Sequence, residues 1–300
     1  MDRDTLRAMQ GLAQEAWRLA PETVGPDGTV GQMAWGHGQR AGEPERPHRL
    51  WHEGSRLVAW GVIFPSEMVR ITEGHMEMRE AMLAWQVHPE RPELLDEILD
   101  WFTAETDGAK RLTFVSAHHA DARRRLEAHG YAHDADGEFS LMHRRDLVDI
   151  EEPSLPEGYA IKTMAELDDV PRRVEVHRAA WEPSRLTEEK YHAVMTTWPY
   201  RADLDFVVEA PDGKLVSCTI GWYDEANRTA EFEPVGTHPD YRSRGLARAM
   251  LLFGMQRFRD AGATHASIGA RGDDSYPVPR RVYQSVGFRE LSRDMPYVQS

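Results

Sequence analysis

The stretch Val235–Leu251, VGTHPDYRSRGLARAML, decides how this chain is read. A strand-like run breaks at Pro239, Arg242, Arg244 and Arg248 follow in close succession, and a helix begins around Gly245. From Arg244 to Arg259 the apolar residues keep helical spacing. Leu246, Met250 and Phe253 form one stripe, and Ala247, Leu251, Gly254 and Phe258 form the adjoining one, so this helix is expected to pack on a sheet. Its start exposes unpaired N–H groups and a positive partial charge, a combination that attracts anions. Gly245 has no Cβ, so an anion can approach the backbone, and Arg242 and Arg244 add full charges beside it. The local pattern admits two readings: a diphosphate cradle, or a solvated loop before a helix.

The bulk properties narrow the field. A chain of 300 residues, 41% of them apolar and nine of them tryptophan, can fill two hydrophobic cores. The single cysteine, Cys218, excludes an intramolecular disulfide framework and suits a reducing cytoplasm. No apolar run approaches the ~20 residues that a membrane span needs, and the opening MDRDTLRAMQ lacks the order of a signal peptide. A soluble cytoplasmic protein with no membrane partner is expected. Against 36 basic residues stand 50 acidic ones, a net charge of −14. That surface repels phosphate backbones, so no nucleic acid partner is expected, and it mildly favours a cationic small substrate.

Along the chain, Asp146–Tyr159 mixes acids, two prolines and a glycine without periodicity and reads as a boundary between residues 1–150 and 151–300. Each half then repeats one order of elements. An opening helix (4–20; 165–180) leads to strands, RLVAWGVIF in the first half and a hairpin turned at Asp212-Gly213 in the second. MLAWQVHPE and AEFEPVGTHPD are strands that each end at His-Pro, followed by a long helix, a strand, a short helix and Gly-aromatic. ARRRLEAHGY (122–131) lies over PRRVYQSVGF (279–288), with Gly130 and Gly287 coinciding. Duplication accounts for this: two α/β units, each a mixed sheet with flanking helices.

Arg242-Ser-Arg-Gly245-Leu-Ala247 resembles the R/Q-x-x-G-x-G/A signature of the GNAT superfamily of acyl-CoA-dependent N-acyltransferases. EPVGTHP resembles the strand that precedes it in that family, and VYQSVGF (282–288) resembles the family's closing helix-to-strand motif. The resemblance covers the second half closely and the first in outline, which implies two tandem GNAT-like domains. It implies acetyl-CoA or another acyl-CoA as co-substrate, with no metal. Pantetheine would lie against Val235, Gly236 and Thr237, and the diphosphate on amides of Arg242, Ser243, Arg244, Gly245, Leu246 and Ala247. Tyr283 stands where the family places its general acid, and a phenol suits protonation of a thiolate. The family often has Asn seven residues before that tyrosine; Tyr276 stands there instead.

For the base, strand alternation is expected to set Glu231, Glu233 and Val235 on one face, with Glu233 nearer the acyl site and Glu231 the second choice. Glu233→Gln should lower kcat most at low pH. Trp181, Trp198, Tyr200 and Trp222 could line the acceptor site, and core packing would explain each equally well. In the first half, Pro92, Glu93, Leu94, Leu95 and Asp96 replace the arginines and glycine, and Leu126 replaces Tyr283. Residues 1–150 are therefore expected not to bind acyl-CoA productively. His118, His119, His129, His133 and His143 show no metal-ligand spacing and read as surface residues. The leading expectation is an N-acetyltransferase acting on a small-molecule amine. A protein or peptide N-acetyltransferase and a non-catalytic acyl-CoA-binding protein are the alternatives, and the oligomeric state is not legible.

Overall fold

The computed structural model describes residues 1–72 and 75–300. The chain divides into two compact units, Met1–Thr29 with Pro44–Leu141 and Ser292–Ser300, and Val30–Glu43 with Met142–Leu291.

Unit one opens with α1 (Arg3–Leu19), capped by the Asp2 carboxylate, which accepts from Thr5 N–H at 2.8 Å. Leu6, Met9, Leu12, Ala13 and Ala16 bury one stripe of it. The next helix, α2 (Val30–Gly38), belongs to unit two. Unit one continues with β1 (His48–Glu53), β2 (Arg56–Phe64), the hairpin β3 (Met68–Thr72) and β4 (His75–Met78), β5 (Ala81–Val87), α3 (Leu94–Glu105), β6 (Arg111–Ser116), α4 (Ala120–Ala128) and β7 (Ala132–His133). Its sheet runs β1-β2-β5-β6, with β5 and β6 parallel. The fully buried Leu95, Ile98, Leu99 and Phe102 of α3 cover it.

Unit two takes in β8 (Ser140–Asp146) from Met142 onward. There follow β9 (Ala160–Thr163), α5 (Met164–Leu167), α6 (Val170–Ala180), α7 (Glu188–Met195), β10 (Asp205–Glu209), β11 (Leu215–Asp224), β12 (Thr229–Thr237), α8 (Leu246–Asp260), β13 (His265–Arg271), α9 (Val278–Ser285) and β14 (Arg289–Gln299). The strand order is β8-β13-β12-β11-β10-β9, mixed in direction. One face packs on α8 through Phe206, Phe232, Met250 and Phe258; the other packs on α2, α6 and α7 through Trp35, Val174, Val194 and Trp222.

The division falls after Leu141 rather than at residue 150, and it involves two exchanges besides. Trp35 of α2 packs among Val174, Val194 and Trp222, so the helix goes to unit two. The end of β14 goes to unit one, where Asp294–Gln299 pair with Arg111–Ser116 of β6. Each exchange buries a segment too short to reveal its partner by periodicity.

The repeat extends to single hydrogen bonds. His88 and His238 each follow a strand, and each ring Nδ1 accepts from the amide two residues on, at 3.2 Å in both cases. Tyr131 N–H donates to Leu126 C=O (3.0 Å) as Phe288 N–H donates to Tyr283 C=O (3.1 Å), so Leu126 and Tyr283 are structural counterparts.

Candidate functional site

The site lies where the sheet of unit two opens. β12 and β13 pair from Thr229–His265 to Phe232–Ile268, and their ladder ends there. On the other edge β12 stays bonded to β11, with a slip: Thr219 opposes Val235 and Gly221 opposes Phe232. Glu233 and Pro234 thus share the place opposite Ile220. This is a β-bulge, and the extra residue bends the strand. Pro234 fits there because it has no ladder hydrogen to give. Trp222 donates its indole N–H to Glu233 C=O at 2.6 Å and fixes the bulge from beneath.

The ladder also decides which backbone groups face the gap. His238 N–H donates to Val216 C=O at 2.9 Å. An antiparallel pair bonds alternate residues, so Gly236 turns toward β11, while Val235 and Thr237 turn their N–H groups toward the opening. Thr237 C=O, on that same edge, accepts from Arg242 Nε at 3.3 Å. Gly236 serves differently. A Cβ there would stand 2.2 Å from the Trp181 ring, so only glycine lets that indole close over the strand.

The bulge overturns the expectation that Glu231, Glu233 and Val235 share a face. Val235 packs with Ala230 and Phe232 on the α8 side. Glu231 pairs across from Trp222 and is buried on the α2 side, where its Oε2 accepts from Gly31 N–H at 3.1 Å. One inserted residue shifts the alternation by one. Glu231 is thereby engaged at the N-terminus of a helix, where a carboxylate is electrostatically favoured.

Beyond Thr237 the chain makes a single 3-10 turn, Pro239–Tyr241. Ser243 (φ 62°) and Gly245 (φ 77°) then adopt left-handed backbone conformations, which curl the loop so that successive N–H groups converge. The first helical hydrogen bond of α8 is Ala249 N–H to Gly245 C=O at 3.0 Å. Among the described residues, the amides of Ser243 to Arg248 have no backbone partner. A Cβ on Gly245 would meet nothing within 4 Å, so the space over these amides is open. Arg244 bonds Tyr159 Oη (2.9 Å) and lies over the Tyr241 ring, and Arg248 pairs with Glu151 (2.6 Å). These contacts are exposed and weak, so the guanidinium groups keep their positive field at the loop.

Tyr283 sits on α9, buried edge-on to His143 and Phe288 with ring centroids 6.3 and 6.4 Å away. Burial first, then the negative charge of Glu233 and the neighbouring Tyr276, holds its phenol well above the usual tyrosine range. Tyr283 is therefore protonated at neutral pH and feels the Glu233 carboxylate. His143, read from sequence as a surface residue, is buried beside it.

The four aromatic candidates separate. Trp181 is half-buried over Gly236, and Trp198 is 36% exposed. Trp222 has no exposed surface, which makes it a core residue rather than a lining one. Tyr200 donates to Asp205 Oδ2 at 3.1 Å. Sequence reasoning missed the buried group behind them. Arg173 Nε donates to Asp205 Oδ1 at 2.9 Å with both side chains fully buried, and Tyr191 donates to Oδ2. His177 stacks on Trp181 at 4.4 Å and also meets Trp35 at 5.2 Å. Burial, then the charge of Arg173, pushes its imidazole down to about 3, so it is neutral. The four-residue spacing of His177 and Trp181 on one helix was the available signal.

Among the described residues no group of three or more His, Cys, Asp or Glu side chains is placed to hold a metal ion, and no helix is long and apolar enough to cross a membrane.

Residues 170–288 match the model of the acetyltransferase (GNAT) family. A mycothiol acetyltransferase of Saccharomonospora viridis is 27% identical over 159 residues, 49% of this chain and 51% of that protein. Another from Streptomyces coelicolor is 25% identical over 154 residues, 50% of this chain and 49% of that one. The chain thus spans about half the length of the curated relatives it matches. A tandem GNAT protein from the clavulanic acid biosynthesis pathway superposes with TM-score 0.62 at 15% identity, over 99% of this chain and 95% of that one. A GCN5-related N-acetyltransferase from Sphaerobacter thermophilus gives 0.61 at 16% identity, covering 100% and 93%. Residues 170–288 thus match the acetyltransferase (GNAT) family, within a chain that has the fold of a solved tandem GNAT protein.

Proposed function

We propose that unit two is an acyl-CoA-dependent N-acyltransferase, moving an acetyl group from acetyl-CoA to a small-molecule amine by direct attack in a ternary complex. One observation carries this reading: the opening between β12 and β13, faced by the N–H groups of Val235 and Thr237, leads directly to the unpartnered amides of Ser243–Ala247. A long, thin ligand with an anionic end and an amide-bearing arm fits that sequence of groups, and acyl-CoA has that form. The acetyltransferase family match and relatives named for mycothiol acetylation support acetyl transfer to a small amine.

Each residue then has a task. The loop amides and the charges of Arg242 and Arg244 bind the diphosphate, with Arg248 adding to the field. Val235 and Thr237 orient the pantetheine arm, and Val235 N–H is placed to stabilise negative charge developing on the acyl oxygen. Glu233 takes the proton that the amine sheds, directly or through water. Tyr283 returns a proton to the departing thiolate. The two steps reinforce each other: the Glu233 charge is one cause of the raised Tyr283 pKa, so neutralising Glu233 makes the phenol a better donor. Trp181, braced by His177, forms the roof of the acyl end, and Trp198 lies on the acceptor side.

In unit one, Glu93 precedes α3 without a side-chain cap, and Asp96 and Glu97 occupy its first turn. Those charges repel a diphosphate, and Leu126 cannot supply a proton. One acetyl-CoA per chain is therefore expected by calorimetry. Thiol release from acetyl-CoA, assayed against a panel of small amines, tests the activity; release that no amine stimulates would refute it.

A further inference from the structure

Unit one keeps an opening of its own. β5 and β6 pair from Ala81–Arg111 to Leu83–Thr113 and their ladder then ends, as the ladder of β12 and β13 does in unit two. A cavity of about 60 Å³ occupies the opening, walled by Val24, Leu83, Trp85, Val87 and Phe114. That is room for a few heavy atoms, too little for a pantetheine arm.

The polar groups on its lining single out one side chain. Thr23 donates to Ala20 C=O (2.8 Å), Gln86 Nε2 to Gly28 C=O (3.3 Å) and Ser116 Oγ to Glu22 C=O (2.7 Å). The His119 ring accepts from Ala122 N–H (3.4 Å). Asp294 pairs with Ser116 where β14 passes the end of β6, and its side chain has no hydrogen bond and no ion pair among the described residues. Its carboxylate lies so close to Gly25 that a Cβ there would stand 2.7 Å from Oδ2. Asp27 adds negative charge to the same lining. A half-buried carboxylate that faces a confined cavity with no cation beside it is ionised at a cost, and a cationic ligand removes that cost.

We propose that this cavity binds a small primary ammonium ion, its charged head on Asp294 beside Asp27 and its short alkyl arm among Val24, Val87 and the Trp85 indole. The size admits a two- or three-carbon arm. The apolar and aromatic walls suit that arm and a neighbouring cation, and they offer an anion nothing. The site is independent of acyl transfer in unit two.

Binding carries a proton balance. Burial, then Asp27, pushes the empty Asp294 carboxyl up to about 8. Below that pH it is protonated, so seating an ammonium releases one proton to solvent. Asp27 and His119 are the other titratable groups on the lining, and burial holds His119 below its ordinary value, leaving the ring neutral above its usual range. Affinity should therefore rise about tenfold between pH 6 and 7 and level off above 8.

The test uses the full chain labelled with ¹⁵N-tryptophan, the Trp85 indole signal assigned through Trp85→Phe, and n-propylammonium chloride as probe. The Trp85 signal is expected to shift saturably with propylammonium and to stay fixed with the same concentrations of n-propanol. Asp294→Asn should weaken binding at least tenfold while the other indole signals keep their positions. Should that variant fold poorly, the wild-type titration at pH 6, 7 and 8 decides alone. No saturable shift, an equal shift with propanol, or an affinity that does not change with pH overturns the proposal.

Discussion

Gly245→Ala separates the folding role of the loop from its proposed binding role. The structure gives both halves of the magnitude. The residue sits at φ 77° with open space around the missing side chain, so alanine meets no clash and incurs only left-handed strain. That strain costs about 1–2 kcal/mol, a lowering of Tm by a few degrees. Binding should suffer more. The new methyl enters the open space beside the loop amides that a phosphate would occupy, and losing one charge-assisted hydrogen bond to a phosphate costs about 1.5–3 kcal/mol, or about 10- to 100-fold in Kd. Calorimetry with CoA, and in parallel with pantetheine lacking the diphosphate, reads the two apart. CoA should weaken in that range and pantetheine hardly at all. Gly245→Asn, which tolerates left-handed backbone, should recover the Tm and not the affinity. Equal weakening of both ligands, or CoA affinity unchanged while the Tm falls, would refute the reasoning.

Other perturbations test other links. Tyr283→Phe keeps the packing on His143 and Phe288 and should lower kcat about 100-fold or more with the acetyl-CoA Kd unchanged, by stopped-flow thiol release; equal kcat would remove the phenol from the reaction. Gly236→Ala drives a methyl into the Trp181 ring and should cost about 1–3 kcal/mol of stability, relieved when Trp181→Leu is combined with it; both are read by thermal unfolding. Asp205→Asn leaves Arg173 buried without its anion and should cost about 3–5 kcal/mol in denaturant unfolding, whereas a drop under 1 kcal/mol would mean the pair is solvated. His177 is neutral when folded and ordinary when unfolded. Stability should therefore be undiminished above about pH 6.5 and fall by about 1.4 kcal/mol per unit below it, toward pH 3, a slope that His177→Gln should flatten.

Some of this was legible in the amino-acid order and some was not, for physical reasons. The His-Pro corners, the Gly245 helix start and the Tyr283–Gly287 turn are local devices, and local devices leave local marks. The mixed sheet with flanking helices followed from periodicity. The bulge at Glu233–Pro234 did not, because an added residue leaves the sequence looking like an ordinary strand while inverting every side chain beyond it. Val235 was accordingly assigned to the wrong face. Glu231 looked available for chemistry, and its engagement with Gly31 N–H depends on a helix 200 positions away in sequence. Arg173 and Asp205 are likewise 32 residues apart, and no spacing rule joins them. The short helix at Val30–Gly38, with three glycines in nine residues, carried too faint a stripe to be read at all.

Because Val30–Glu43 and Met142–Leu291 fold as one body while Ser292–Ser300 completes the other, neither body is a continuous piece of chain. A gene cut at the apparent midpoint would yield a second half missing the helix that packs on Trp222 and holds Glu231, and a first half missing its last strand. Whatever once duplicated here can no longer be separated with scissors. If unit two alone carries acyl chemistry, as proposed, unit one is still not dispensable, since unit two depends on a segment encoded inside the span of its sibling.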